Sequence, residues 1–115
     1  MKDGFIDEGV LLARAKADRM LRTYRKMNSV LRSARAYGRY FFDDGELDES
    51  GIQAQMYAMR SAILSLEDAR ERVFLYQYYV KGHTLEECAK FMGVSLRTAS
   101  RIKTSALESV AIKLE

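Results

Sequence analysis

The chain has no proline, one cysteine, one histidine and no apolar run that approaches the roughly 18 residues of a membrane span. Each shortage excludes something. With proline absent, strand-like β-branched runs missing, and alanine, leucine, arginine and glutamate frequent, the composition points to an all-α protein. The single cysteine, Cys88, closes no internal disulfide and anchors no metal cluster. His83 stands beside Gly82 in a turn, and one imidazole makes no metal site. The start, MKDGFIDEG, lacks the apolar core of a signal peptide. A cytoplasmic protein without membrane contact is therefore expected. Walker loops, dinucleotide fingerprints, catalytic triads and catalytic carboxylate pairs are all missing, so neither an enzyme nor a cofactor is expected.

What the chain does have is unevenly placed charge. Its net +3 conceals ten Lys/Arg against four Asp/Glu in residues 1–40, and nine against twelve in residues 41–115. Inside the acidic part, residues 97–115 turn basic again through Arg97, Arg101, Lys103 and Lys113. Two basic regions flank an acidic middle, and the basic faces of the first suit either a partner that carries phosphate or the plain solvation of a long helix.

Residues 5–42 read as one long helix. Apolar or small residues recur at Val10, Ala13, Ala17, Met20, Tyr24, Met27, Leu31, Ala34, Gly38 and Phe41, in steps of three and four. Leu21, Val30 and Tyr37 widen this stripe, and arginines and lysines fill the other faces. Four heptads make a helix of about 50 Å, which cannot cover its own stripe. The stripe must pack on the C-terminal helices, on a second copy or on another protein. Its alanine, methionine and glycine content makes a strong isolated zipper unlike it.

The segment 43–51 carries acidic residues and two glycines and reads as a solvated loop rather than a calcium loop, whose alternating ligands and final glutamate it lacks. Residues 52–115 then form a small helical domain. Ser50 and Gln53 match a capping box before a helix of about 52–64, with Ile52, Met56, Met59 and Ile63 on one face. Ser65-Leu-Glu-Asp68 starts the next helix, about 67–80, expected to bury Ala69, Val73, Phe74, Tyr76 or Gln77, and Val80. Lys81-Gly82 ends it.

The last part has the punctuation of a helix-turn-helix. Thr84 and Glu87 form a capping box, and a short helix of about 85–91 follows with Leu85, Cys88, Ala89 and Met92 on one side. Gly93 suits a left-handed turn, Val94 plugs the space between the helices, and Ser95 caps the next helix. There Ala99, Ile102, Ala106 and Leu107 face inward, and Leu96, Arg97, Ser100, Arg101 and Thr104 face out, with Lys103 to one side. Arg97 and Arg101 lie one turn apart on the exposed face. An arginine can bond both acceptors of a guanine edge in the major groove.

Residues 66–111 resemble region four of bacterial sigma factors, the module that recognises the −35 promoter element. Leu66, Arg70, Arg72, Gly82-His-Thr84, Glu87, Ala89, Gly93-Val-Ser95, Thr98, Arg101 and Ala106-Leu107 carry the resemblance. The run Ser-Arg-Ile-Lys-x-x-Ala-Leu also resembles phage late-operon regulators of the ArpU type. Cys88 and Ala99 replace larger aliphatics of the pattern, and no counterpart of sigma region two is present, which argues against a complete sigma factor. The resemblance implies double-stranded DNA as partner. Ser95, Arg97, Thr98 and Arg101 would lie at base edges, and Thr84, Lys103 and Ser100 at phosphates. RNA polymerase is a second implied partner, and the long N-terminal helix is expected to make a homodimer or touch polymerase. The competing reading is a protein-interaction or assembly module, such as a sigma-like adaptor or a small phage packaging subunit.

Overall fold

The structure, a computed structural model, describes residues 8–37 and 49–115. Within them the chain forms five helices and no strand: α1 (Glu8–Tyr37), α2 (Glu49–Leu64), α3 (Ala69–Leu75, continued by a π-helical turn, Tyr76–Val80), α4 (Leu85–Met92) and α5 (Leu96–Lys113). The all-α expectation and the long N-terminal helix both hold.

The stripe of α1 is covered largely from within the chain. Ala17, Leu21, Tyr24 and Leu31 are buried in one core with Met56, Met59 and Ile63 of α2, Phe74 and Leu75 of α3, and Ile102, Ala106 and Val110 of α5. Its phase differs slightly from the heptad reading. Leu21 is fully buried, while Met20 and Met27 sit at the edge. The buried residues Ala17, Leu21, Tyr24 and Leu31 nevertheless keep steps of four, three and seven, so the heptad spacing holds although α1 packs on several helices. Polar bonds fix the crossing. Arg60 donates to the Tyr24 hydroxyl at 2.8 Å, and Arg14 pairs with Glu108 at 3.5 Å. The stripe members Gly38 and Phe41, the Ala34 side chain and the acidic residues 43–48 lie outside the described residues.

Two start signals fall elsewhere than the sequence reading puts them. Glu49, Ser50 and Gly51 are already helical, so the expected loop of 43–51 does not extend to its stated end and Ser50 does not cap α2. Ser65 instead closes α2, donating from its hydroxyl to the Ala62 carbonyl at 2.8 Å. The cap of α3 is Asp68, whose carboxylate accepts from the amides of Arg70 and Glu71 at 2.8 and 3.1 Å. Aspartate outcompetes serine here because a carboxylate meets several orphan amides and favours the positive helix end.

The inward face of α3 is correspondingly displaced. Ala69 is exposed, Val73, Tyr76, Gln77 and Val80 are half-buried, and Phe74, Leu75 and Tyr79 form the buried set. The π-helical turn carries Tyr79, which lies four residues after Leu75 and so shares its buried face, one step round from the line through Val73, Tyr76 and Val80. Phe74 alone, fully buried, contributes roughly 1.5–3 kcal/mol relative to exposure.

Candidate nucleic-acid interface

The turn between α4 and α5 is built from local bonds. Thr84 caps α4 with its hydroxyl accepting from the Glu87 amide at 3.1 Å, and the Glu87 carboxylate accepts from the Thr84 amide at 2.8 Å. That backbone bond, and then the His83 ring at 3.2 Å, hold the Glu87 carboxyl below its ordinary range. Gly93 takes φ 69°, a left-handed conformation that favours glycine, and the Val94 amide reaches back to the Ala89 carbonyl at 2.9 Å. Ser95 then caps α5, its hydroxyl accepting from the Thr98 amide at 3.1 Å. Each cap matches the sequence reading.

Packing puts the small residues where the helices approach. Ala89 and Ala99 are both buried, Ala99 completely, with Ile102, Ala106, Leu107 and Val110 continuing the inward face of α5. Cys88 is buried beside them, and burial, together with the nearby Glu87 charge, pushes its thiol up. It is a small apolar core residue.

The opposite face of α5 carries the expected readers. Arg97, Ser100 and Arg101 are exposed, and neither guanidinium makes an ion pair among the described residues. Unpaired, both keep their full fork of donors for a ligand. Ser95 is exposed as well, but its hydroxyl donates to Thr98 Oγ1 at 3.1 Å, which leaves Thr98 half-buried in the cap. Arg101 and Thr98 border a cleft of about 290 Å³ shared with Asp68, Arg70 and Glu71 at the start of α3.

Lys103 stands apart from this face. Its ammonium lies 4.6 Å from the centre of the Tyr78 ring and 3.4 Å from the Tyr78 hydroxyl. Thr84 lines a groove with Tyr78 and with Arg22, Arg25 and Lys26 of α1, a groove that neither Arg97 nor Arg101 lines. The three residues expected at phosphates thus divide: Ser100 sits with the arginines, and Thr84 and Lys103 sit towards α1.

Packing of α1 on the C-terminal helices was one of the expected outcomes, but the polar pair that fastens it here was not foreseen. Tyr79 donates to the Asp18 carboxylate, and Arg22 donates to its other oxygen at 2.8 Å. Burial alone would raise Asp18, but the bonds from Tyr79 and Arg22 outweigh it and hold the carboxyl below its ordinary value. Burial, then the Asp18 bond, push the Tyr79 phenol up. Nothing in local spacing marks this pair, because its members are 61 residues apart.

A short capped helix, a left-handed glycine and a longer capped helix with a basic outer face define a helix-turn-helix of the DNA-binding kind. Residues 63–111, which hold α4, the turn and most of α5, match the family model of sigma-70 region 4, a DNA-binding helix-turn-helix family. No curated protein and no solved structure matches the chain. The match begins at the end of α2 and leaves α1 outside it. No helix among the described residues is long and apolar enough to cross a membrane.

Proposed function

We propose that this chain is a sequence-specific transcription regulator of phage or mobile-element type, in which α5 reads the major groove of double-stranded DNA. The observation that carries the reading is the pair of exposed, unpaired guanidiniums of Arg97 and Arg101, one turn apart on the second helix of a sigma region four module. Phosphate contacts supply most of the affinity and the orientation. Arg97 and Arg101 supply base readout, with Ser95 and Thr98 beside them at the helix start. Ser100 is small enough to let α5 approach the backbone. The phage assignment rests on the likeness of Ser-Arg-Ile-Lys-x-x-Ala-Leu to late-operon regulators. RNA polymerase is the partner this module implies besides DNA.

The test is binding to a duplex selected from a random pool. Arg97→Ala and Arg101→Ala are each expected to lose about 1–3 kcal/mol, roughly 5- to 150-fold, and to relax preference at one base pair, with unchanged melting. Wild-type affinity in both variants would assign the α5 face to a protein partner instead.

A further inference from the structure

We infer that the basic face of α1 is a second DNA contact, a phosphate-binding wall that continues the helix-turn-helix interface past the start of α4. The inference rests on the DNA-binding reading above but concerns residues outside the matched module.

Two adjoining grooves carry it. One, of about 650 Å³, is lined by Arg22, Arg25 and Lys26 of α1 together with Tyr78, His83 and Thr84. The next, of about 560 Å³, is lined by Arg25, Arg32, Asn28 and Ser29 of α1 and by Val80 and Lys81. Arg25 belongs to both, so they form one channel along α1. No carboxylate lines either groove. The nearest acids are already engaged, Asp18 with Tyr79 and Arg22, and Glu87 with Thr84 and His83. Arg25, Lys26, Arg32 and Lys81 are exposed and make no ion pair among the described residues.

Position decides the occupant. The two phosphate-facing groups that lie away from the recognition arginines, Thr84 and Lys103, both meet this channel. Thr84 lines it, and Lys103 rests on the ring of Tyr78, which also lines it. A strand that touches Thr84 therefore runs next against Arg25 and Lys26. The α3–α4 turn is shaped for the same contact. Gly82 has φ +80°, and the Arg25 guanidinium lies 2.9 Å from where a Cβ would be, closer than a side chain there would allow. The missing side chain lets the guanidinium rest on the turn, beside the cap of α4, rather than trail into solvent. From Arg22 to Arg32 the helix rises about 15 Å, the axial length of about four nucleotides of one strand.

The experiment measures full-length protein on the selected duplex across a salt series, with a hydroxyl-radical footprint. The double variant Arg25→Gln, Lys26→Gln is expected to flatten the slope of log K against log salt by about two, on selected and mixed DNA alike. It is also expected to lose about four nucleotides of protection on one flank and to keep the base preference. Arg25→Lys tests placement, because it keeps the charge but not the planar group on Gly82, and should retain the slope while weakening flank protection. Unchanged slope and footprint in the double variant would overturn the inference and leave the α1 channel to an acidic protein surface. Loss of base preference with an intact flank in the double variant would also overturn the inference, because that pattern belongs to the Arg97 and Arg101 face of α5. A wild-type chain that binds no duplex even at low salt would overturn both readings.

Discussion

Single residues decide the sharpest features of this molecule. Ala99 has no exposed surface, and the buried Ala89 belongs to the facing helix of the same core. Ala99→Phe is expected to lower stability by about 1–3 kcal/mol through overpacking, read as a fall in Tm. A melt identical to wild type would mean that α5 can rotate and that its register is not fixed. The two left-handed glycines make a second comparison. Alanine at Gly82 or Gly93 forces a Cβ into a conformation that costs about 1–2 kcal/mol, so both should melt lower by similar amounts. Around Gly93 a Cβ would meet nothing within 4 Å, whereas at Gly82 it would meet the far end of Arg25, which yields more easily than the backbone. Only Gly82→Ala should then weaken DNA binding, and equal binding by the two variants would separate Arg25 from the interface.

At the scale of elements, legibility follows sequence distance. The caps at Thr84 and Ser95, the turn at Gly93 and the inward line Ala99, Ile102, Ala106 and Leu107 were all readable, because each bond or step spans five residues or fewer. Ser50 and Ser65 misled for the same reason in reverse. Both fit a local cap pattern, and the choice between such a serine and Asp68 depends on where the chain enters the core. Leu75 and Tyr79 were missed because residues 73–80, VFLYQYYV, are apolar or aromatic at every position but one, so the pattern marks no single inward face. The Asp18–Tyr79 bond that fastens α1 to that turn could be seen only once the helices were placed. It has a pH signature. Asp18 is held below its ordinary value of 3.8 by groups from three places, Tyr79, Arg22 on its own helix, and Lys103 of α5. The stability it adds is fully present above that value and is lost as pH falls through its lower, folded-state value. Asp18→Asn should cost on the order of 1.5 kcal/mol near neutrality, the low end for a hydrogen bond to a charged group. Its Tm should approach that of wild type in acid, and parallel curves from pH 7 down to 2.5 would rule this anchor out.

For the whole molecule, the open question is what α1 does for the assembly. With Ala17, Leu21, Tyr24 and Leu31 covered by the chain's own helices, a second copy has a smaller apolar surface to use than the heptads imply. Leu11 and Leu12 near the start of α1 stay exposed, as does Ile112 at 71% on α5. A homodimer through α1, which we retain as a proposal, must draw on that end. Sedimentation is expected to show weak, concentration-dependent association at micromolar protein, abolished by Leu12→Glu. A sedimentation coefficient independent of concentration would make the chain a monomer and give α1 wholly to the core and the basic channel. The π-helical turn sets a constraint of another kind, on how such a chain can change length. Deleting one residue between Tyr76 and Val80 would restore an unbroken α-helical ladder, locally the more ordinary structure. The chain beyond it would keep nearly its present phase relative to α3, because the wider turn absorbs the extra residue. What a deletion can remove is the anchor itself, since Tyr79, the partner of Asp18, lies inside the turn. Related chains that keep the long basic helix should therefore keep a hydroxyl facing Asp18 whether or not they keep the extra residue.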